Sequence, residues 1–204
     1  MEPELNDTIK EYLKTYLSKV YLEVKEMLEK IDNENYCILS DFEQIHGEFS
    51  ILQKKAASFY LNEYLSPYTE SYQELSIAIQ HFTERKQGAL IAVQRNETLD
   101  PLMHSGIPIG GYVSHALLET IFYPGSTLHD GAVLIKTDKI ISAGNVLPLS
   151  KQDSGGKKIG MRHRAAIGLS EKSDALVLVV SEETGKASFA LDGKLYPINV
   201  GRIS

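Results

Sequence analysis

Tryptophan is absent from this chain of 204 residues, and cysteine occurs once, as Cys37. One thiol excludes a disulfide framework and a cysteine-built zinc site. Cys37 reads as a small packing residue in a reducing, cytoplasmic setting. Long apolar runs are missing as well. A stretch such as Ala175 to Val180 falls far short of the roughly 20 residues a membrane span needs, so no membrane partner is expected. The amino terminus is acidic and polar, unlike a signal or transit peptide. There is no excess of basic charge: 27 acidic residues face 21 basic ones, a net charge of -6. That speaks against a broad nucleic-acid or anionic-membrane surface, while leaving room for a small basic pocket. Several nucleotide and hydrolase signatures are also missing, including G-x-x-x-x-G-K-S/T, G-x-G-x-x-G after a strand, H-E-x-x-H and G-x-S-x-G. Ser154-Gly155-Gly156-Lys157-Lys158 lacks the phosphate-loop spacing, so Gln152 to Lys158 reads as a surface loop before it reads as a phosphate cradle.

What is present divides unevenly. Residues 1 to 86 carry 16 acidic and 9 basic side chains, and residues 87 to 204 carry 11 and 12. The front holds one glycine of 15, Gly47, and eight of the 11 tyrosines. Glycine-poor sequence suits long helices and glycine-rich sequence suits turns. An all-helical front and a mixed α/β back are therefore expected.

The front has helical periodicity. Ile9, Leu13, Tyr16, Leu17, Val20, Val24, Leu28 and Ile31 recur at three and four. A second helix is expected from Ser40, with Ser40 and Glu43 as a capping box. Its stripe is Phe42, Ile45, Phe49, Leu52, Ala56 and Phe59, a seam that asks for a helical partner. The short polar link Asp32 to Tyr36 predicts an antiparallel hairpin. Pro67 stops the second helix, and a third is expected over Thr69 to Arg85.

The back alternates. Strands are expected at Ala89 to Val93, Ala132 to Lys136, Ile140 to Leu149 and Ala175 to Val180. Helices are expected at His115 to Phe122 and Arg162 to Leu169, and a hairpin through Gly185 and Asp192-Gly193 closes the chain. The pattern predicts a mixed sheet flanked by helices.

Three segments carry candidate chemistry. Thr127-Leu128-His129-Asp130-Gly131-Ala132 places His129 and Asp130 before a strand, with Gly131 permitting close backbone approach; Asp-Gly is also an ordinary turn pair. Gly160-Met161-Arg162-His163-Arg164 sets two arginines around a histidine at a helix start. Free backbone N–H groups and planar guanidinium forks suit phosphate there, although a solvated basic turn has the same composition. Ser181-Glu182-Glu183-Thr184-Gly185 ends a buried strand and reads equally as hairpin sequence. His46, His81, His104 and His115 have no ligand spacing and read as structural or surface residues.

In this order, these segments resemble the diadenylate cyclase (DAC) family, over about residues 75 to 204. The resemblance rests on Gln87-Gly88-Ala89-Leu90-Ile91, Leu128-His129-Asp130-Gly131-Ala132, Ala143-Gly144 with Leu147-Pro148-Leu149-Ser150, Arg162-His163-Arg164-Ala165-Ala166 with Gly168-Leu169-Ser170-Glu171, Ser173-Asp174-Ala175, and Ser181-Glu182-Glu183-Thr184-Gly185. It implies an enzyme that joins two ATP molecules into cyclic di-AMP. Asp130 would be the catalytic carboxylate and, with His129, would hold Mg²⁺ or Mn²⁺. Glu183 would be a second acidic group. Gly131 would lie against the nucleotide and Leu147 on the adenine, and Gly160 and Met161 would line the pocket. Arg162, His163 and Arg164 would fix the phosphates, and Ser181 would contact one. The family commonly has threonine where this chain has Met161. The resemblance also implies two sites facing across a homodimer, N-terminal helices that restrain activity in a larger assembly such as a hexamer, and kinship with the sporulation-associated members. The expected division is a helical region over 1–66 and a catalytic domain over 67–204. A non-catalytic adenine-nucleotide sensor on the same fold is the alternative.

Overall fold

The computed structural model describes residues 7–32, 37–151 and 159–198. The chain divides into two compact units, Met1–Tyr60 and Leu61–Ser204.

The first unit is built from α1 (Asp7–Lys30) and most of α2 (Leu39–Leu65). Lys19 pairs with Glu48, Gln44 Nε2 donates to Glu23 at 3.0 Å, and Lys55 lies over the Tyr12 ring. Partners retreat along α2 as they advance along α1, so the helices are antiparallel, as expected. Residues 33–36 of the expected link lie outside the described residues. The capping box does not form. The first helical bond runs from Phe42 N to the Ile38 carbonyl, and Ser40, already inside the helix, donates its hydroxyl to Cys37. Cys37 is exposed and free, not packed. The apolar stripes are wider than one partner helix can cover. Ile9, Val20, Met27, Leu52 and Ala57 are buried, whereas Tyr21 is 67% exposed, Leu28 65%, Phe42 55% and Phe49 52%.

The second unit is a seven-stranded mixed sheet. Its elements are α3 (Tyr72–Glu84), β1 (Ala89–Gln94), β2 (Ile107–Tyr112), α4 (His115–Phe122), β3 (Ala132–Lys136), β4 (Lys139–Asn145), α5 (Met161–Ser170), β5 (Leu176–Val180), β6 (Ala187–Leu191) and β7 (Lys194–Pro197). The strand order is β2-β4-β3-β1-β5-β6-β7. β1 pairs in parallel with β3; every other neighbouring pair is antiparallel. Side chains alternate across the pleat. Leu90, Ala92, Val177 and Val179 join Ala165, Ala166 and Leu169 of α5 in one buried cluster. On the other face Leu75, Ile79 and Phe82 of α3 pack with Leu118, Ile121 and Phe122 of α4, and the Phe82 and Phe122 rings meet edge-on at 5.5 Å.

Three elements depart from expectation. β4 ends at Asn145, where a strand running to Leu149 was expected, and Pro148 has no N–H to continue the ladder. β2 was not predicted; Pro108, Gly110 and Gly111 give it a low strand propensity. It is an edge strand with a register shift between Pro108 and Gly111, where a missing N–H costs no ladder bond. α3 starts at Tyr72, three residues late, because Thr69 to Ser71 wrap around a distant carboxylate. One oxygen of Asp138, in the β3–β4 turn, accepts from Thr69 Oγ1, Glu70 N, Ser71 N and Ser71 Oγ at 2.9 to 3.1 Å.

Burial acts to raise the Asp138 carboxyl, but these hydrogen bonds outweigh it and hold the group below its ordinary value. Asp138→Ala is expected to cost roughly 2–4 kcal/mol in chemical denaturation at neutral pH. The folded value is the lower one, so the stabilisation is complete above the unfolded value of about 4 and fades as pH falls through the folded one. The gap between wild type and variant therefore narrows in acid.

Candidate functional site

The strand directions bring three segments to one edge of the sheet. β1 and β3 are parallel, so they start together, and antiparallel β5 ends beside them. Ala89 pairs with Val180 and Ile91 with Val133. Gly88, the Asp130-Gly131 pair and the turn from Ser181 to Glu183 therefore lie at the same end of the central strands. Ligands of open parallel sheets bind at the opposite end, beyond the strand carboxyl ends; here the parallel pair β1 and β3 starts, and the antiparallel strands β4, β5 and β7 end. The start of α5 reaches this edge too, through Arg162 and Glu182.

The loop before β3 is shaped by its backbone. Gly131 has a φ of +116°, and a Cβ there would run into Gly144 and Asn145 of β4. The close approach made by Gly131 is thus to β4, a contact only glycine allows. Buried Asn145 locks it, donating Nδ2–H to the Ala132 carbonyl at 2.8 Å and accepting from Ser142 Oγ at 3.0 Å. His129 Nδ1 donates to the Ser126 carbonyl. That bond fixes the ring and leaves the Nε2 lone pair for a ligand. Asp130 is exposed and has no hydrogen bond or ion pair among the described residues.

α5 lies unusually close to its neighbour. A Cβ on Gly168 would strike the backbone of Pro148, Leu149 and Ser150. Ser150 N donates to the Arg164 carbonyl, and Arg164 Nη2 donates back to the Ser150 carbonyl, both at 3.0 Å. Arg164 is thus tied at one end to the segment that carries Leu147. The Leu147 side chain is buried in the α5 cluster, 6% exposed. Gly160 is the N-cap of α5 and no side chain caps it. Met161, the first residue of the helix, is exposed.

His163 is half-buried. Burial holds its imidazole below the ordinary value, and the negative charge of Glu183 partly offsets that. Ser181 anchors its turn: its N–H donates to Lys186, its carbonyl accepts from Gly185, and its Oγ accepts from Thr184 N at 3.2 Å. The hydroxyl proton remains available to another acceptor. The structure thus gathers Asp130, His163, Arg162, Ser181 and Glu183 at one edge, keeps Leu147 in the core behind them, and adds two residues given no role in sequence analysis. Gly88 and Glu182 hold the Arg162 side chain. The signal for Glu182 was its place beside Ser181 at the end of a buried strand, where it read as hairpin sequence.

A donor set of one free imidazole nitrogen and one unpaired carboxylate fits a divalent ion that takes its other ligands from phosphate and water. Among the described residues no group of three or more His, Cys, Asp or Glu could hold a metal unaided. A cavity of about 810 Å³ is lined by residues of α3 and α4 and extends to Gln87 and Ser126. Its histidines are committed to carboxylates, His81 to Glu119 and His115 to Glu74, both at 2.7 Å.

Residues 76–195 match the family model described as DisA bacterial checkpoint controller nucleotide-binding, and residues 2–68 match one described as diadenylate cyclase CdaS, N-terminal. The chain is 51% identical to the diadenylate cyclase CdaS of Bacillus thuringiensis, over 96% of this chain and 98% of that one. It is 41% identical to the cyclic di-AMP synthase CdaS of Bacillus subtilis, over 91% and 89%. Among solved structures, a protein from Bacillus cereus described as a hypothetical membrane spanning protein superposes with a TM-score of 0.79 at 51% identity, covering 95% of both chains. A double mutant of DacA from Staphylococcus aureus gives 0.60 at 43% identity, over 63% of this chain and 86% of that one. Among the described residues of this chain no helix is long and apolar enough to cross a membrane.

Removing the charge of Glu183 takes away the one influence that raises the His163 titration. Glu183→Gln should move the His163 midpoint further down in an NMR titration of the imidazole signals. An unmoved midpoint would separate the two side chains electrostatically.

Proposed function

This chain belongs to the diadenylate cyclase family, and we propose that it condenses two ATP molecules into cyclic di-AMP with release of two pyrophosphates. One observation carries the reading: Asp130, a carboxylate unpaired among the described residues, stands at the same sheet edge as the arginine-bearing start of α5, which no side chain caps.

In this reading each ATP lies with its phosphates toward the first turn of α5. The free N–H groups there, the Arg162 and Arg164 guanidiniums, His163 and the Ser181 hydroxyl bind phosphate oxygens. Gly160 and Met161 line the entrance, Leu147 closes the floor under the adenine, and Gly131 shapes the wall beside the nucleotide. Asp130 accepts the proton of a ribose 3′-hydroxyl. The 3′-oxygen bonds to the α-phosphorus of the other ATP as the bond to the pyrophosphate oxygen breaks, and two such steps close the ring. Glu183 supports the same proton transfer and the charge of His163. A divalent ion, Mg²⁺ or Mn²⁺, held by His129 and Asp130, would neutralise phosphate charge when bound. Positioning and charge neutralisation supply most of the acceleration.

One site holds one nucleotide, so two subunits face each other in a homodimer, each supplying a nucleophile to the other. We assign residues 67–204 to catalysis and residues 1–66 to assembly and restraint. The exposed Tyr21, Leu28, Phe42 and Phe49 support this, because an apolar face of that size calls for cover. Neighbouring copies supply that cover, in a hexamer that keeps cyclase faces apart. The proposed setting is the cytoplasm, where exposed Cys37 stays reduced.

Purified protein incubated with ATP and Mn²⁺ should yield cyclic di-AMP by chromatography. Tight ATP binding without product would instead make the chain a nucleotide sensor. Asp130→Asn is expected to lower turnover by roughly 10²–10⁴-fold and to keep ATP binding by calorimetry; undiminished turnover removes Asp130 from its role. Phe42→Ser with Phe49→Ser should shrink the assembly in light scattering and raise specific activity. Unchanged size and unchanged activity together would reject the restraint.

A further inference from the structure

We propose that Glu182 is the positioning residue for Arg162, and that Gly88 is the seat on which the pair rests. The proposal deepens the reading above, in which Arg162 binds phosphate. Arg162 Nη1 donates to Glu182 Oε2 at 2.5 Å. The two side chains differ in exposure: Arg162 is 22% exposed and Glu182 63%. The arginine is held down by a carboxylate that stays largely in water.

The seat is backbone. A Cβ on Gly88 would stand 2.5 Å from Arg162 Nη1, 2.9 Å from Arg162 Cζ and 2.9 Å from Glu182 Oε2. Both halves of the ion pair therefore cross the one position where no side chain intervenes. That position is rigidly placed, because Gly88 precedes Ala89, whose partner Val180 precedes Ser181 and Glu182. The sheet thus sets the distance between seat and carboxylate, and α5 delivers the guanidinium onto them.

The pairing leaves work undone. Arg162 Nε is buried and has no hydrogen-bond partner among the described residues. A buried donor without a partner is a cost to the folded chain, and such cases call for an explanation. Glu182 occupies one end of the guanidinium and fixes its plane, while Nε is left without an acceptor among the described residues, a donor for an incoming anion. An ion pair as exposed as this one adds little to stability, so its effect is expected on ligand geometry.

The test uses the full chain. ATP affinity is measured by calorimetry, and KM and kcat by cyclic di-AMP formation, for wild type, Glu182→Ala, Glu182→Gln, Gly88→Ala, Arg162→Ala and the Arg162→Ala, Glu182→Ala double variant. Glu182→Ala should weaken ATP binding and raise KM by roughly threefold to tenfold, with a smaller change in kcat and an unchanged melting temperature. Glu182→Gln keeps the acceptor and loses the charge, so it should fall between. Gly88→Ala should reproduce the KM effect. In the Arg162→Ala background, Glu182→Ala should add nothing, because the coupled partner is gone. An unaltered KM and affinity in Glu182→Ala overturns the proposal, and so does an equal loss in both backgrounds. If wild type binds ATP and makes no product, the cyclase reading fails, while the affinities still decide the role of Glu182.

Discussion

The parallel pairing of β1 with β3, beside antiparallel β5, is the constraint on which the site depends. Parallel strands begin at the same edge, and an antiparallel neighbour ends there. Gly88, Asp130 and Ser181 are far apart in sequence and adjacent only through that arrangement. The strands that carry it are buried on both faces. Residues of β1 from Ala89 to Val93 and of β5 from Leu176 to Val180 are at most 2% exposed. Their near-continuous apolar runs are the sequence form of a strand covered on two sides. The chemistry therefore rests on the least deformable part of the unit, and the charged groups are carried on short segments just outside it.

Close backbone approach then sets the finer geometry. Gly168 lets α5 lie on Pro148 to Ser150, and Gly131 lets the loop before β3 lie on β4. A helix with Ala165, Ala166 and Gly168 on its inner side has little side-chain volume to hold it away. The same closeness explains Arg164, whose guanidinium is partly spent on the Ser150 carbonyl. Two arginines that look equivalent in sequence differ in structure. Arg162 is paired to a carboxylate across a glycine, and Arg164 to a carbonyl beneath the helix.

Much of this was legible in the sequence, and the illegible parts share a cause. The helix at His115–Phe122 and the strand at Ala132–Lys136 match their predicted spans, because apolar periodicity and bounding turns are local signals. β2 was hidden by its proline and glycines, which an edge strand tolerates and a pattern reader rejects. The late start of α3 depends on Asp138, nearly seventy residues away, and no local rule contains it. Ser40 looks like a cap because its neighbours fit the motif, yet the helix starts earlier, at Leu39, and the Ile38 carbonyl accepts its first bond. The site followed the same rule. Asp130 and the Arg162-His163-Arg164 run were visible as chemistry-bearing residues in a row. Gly88 under Arg162, and Glu182 against it, are juxtapositions made by strand register.

The apolar side chains left exposed on the helical unit bear on control. The sheet unit buries the apolar side chains of its central strands, while Tyr112, Tyr123, Val146 and Met161 at its surface are more than half exposed. The helical unit leaves Tyr21, Leu28, Phe42 and Phe49 more than half exposed. Apolar area removed from water is worth about 25 cal/mol per Å², so a few such residues covered by a partner supply a useful association energy even after its entropic cost. A reaction that needs two nucleotide sites face to face is limited by how often and in what orientation those sites meet. Contacts elsewhere on the subunit alter that frequency without touching the site, by raising or excluding the effective concentration of one face near another. Assembly through the helices, as proposed, would therefore govern turnover while Asp130, Arg162 and Ser181 stay unchanged, and the two functions would then be separable by substitution.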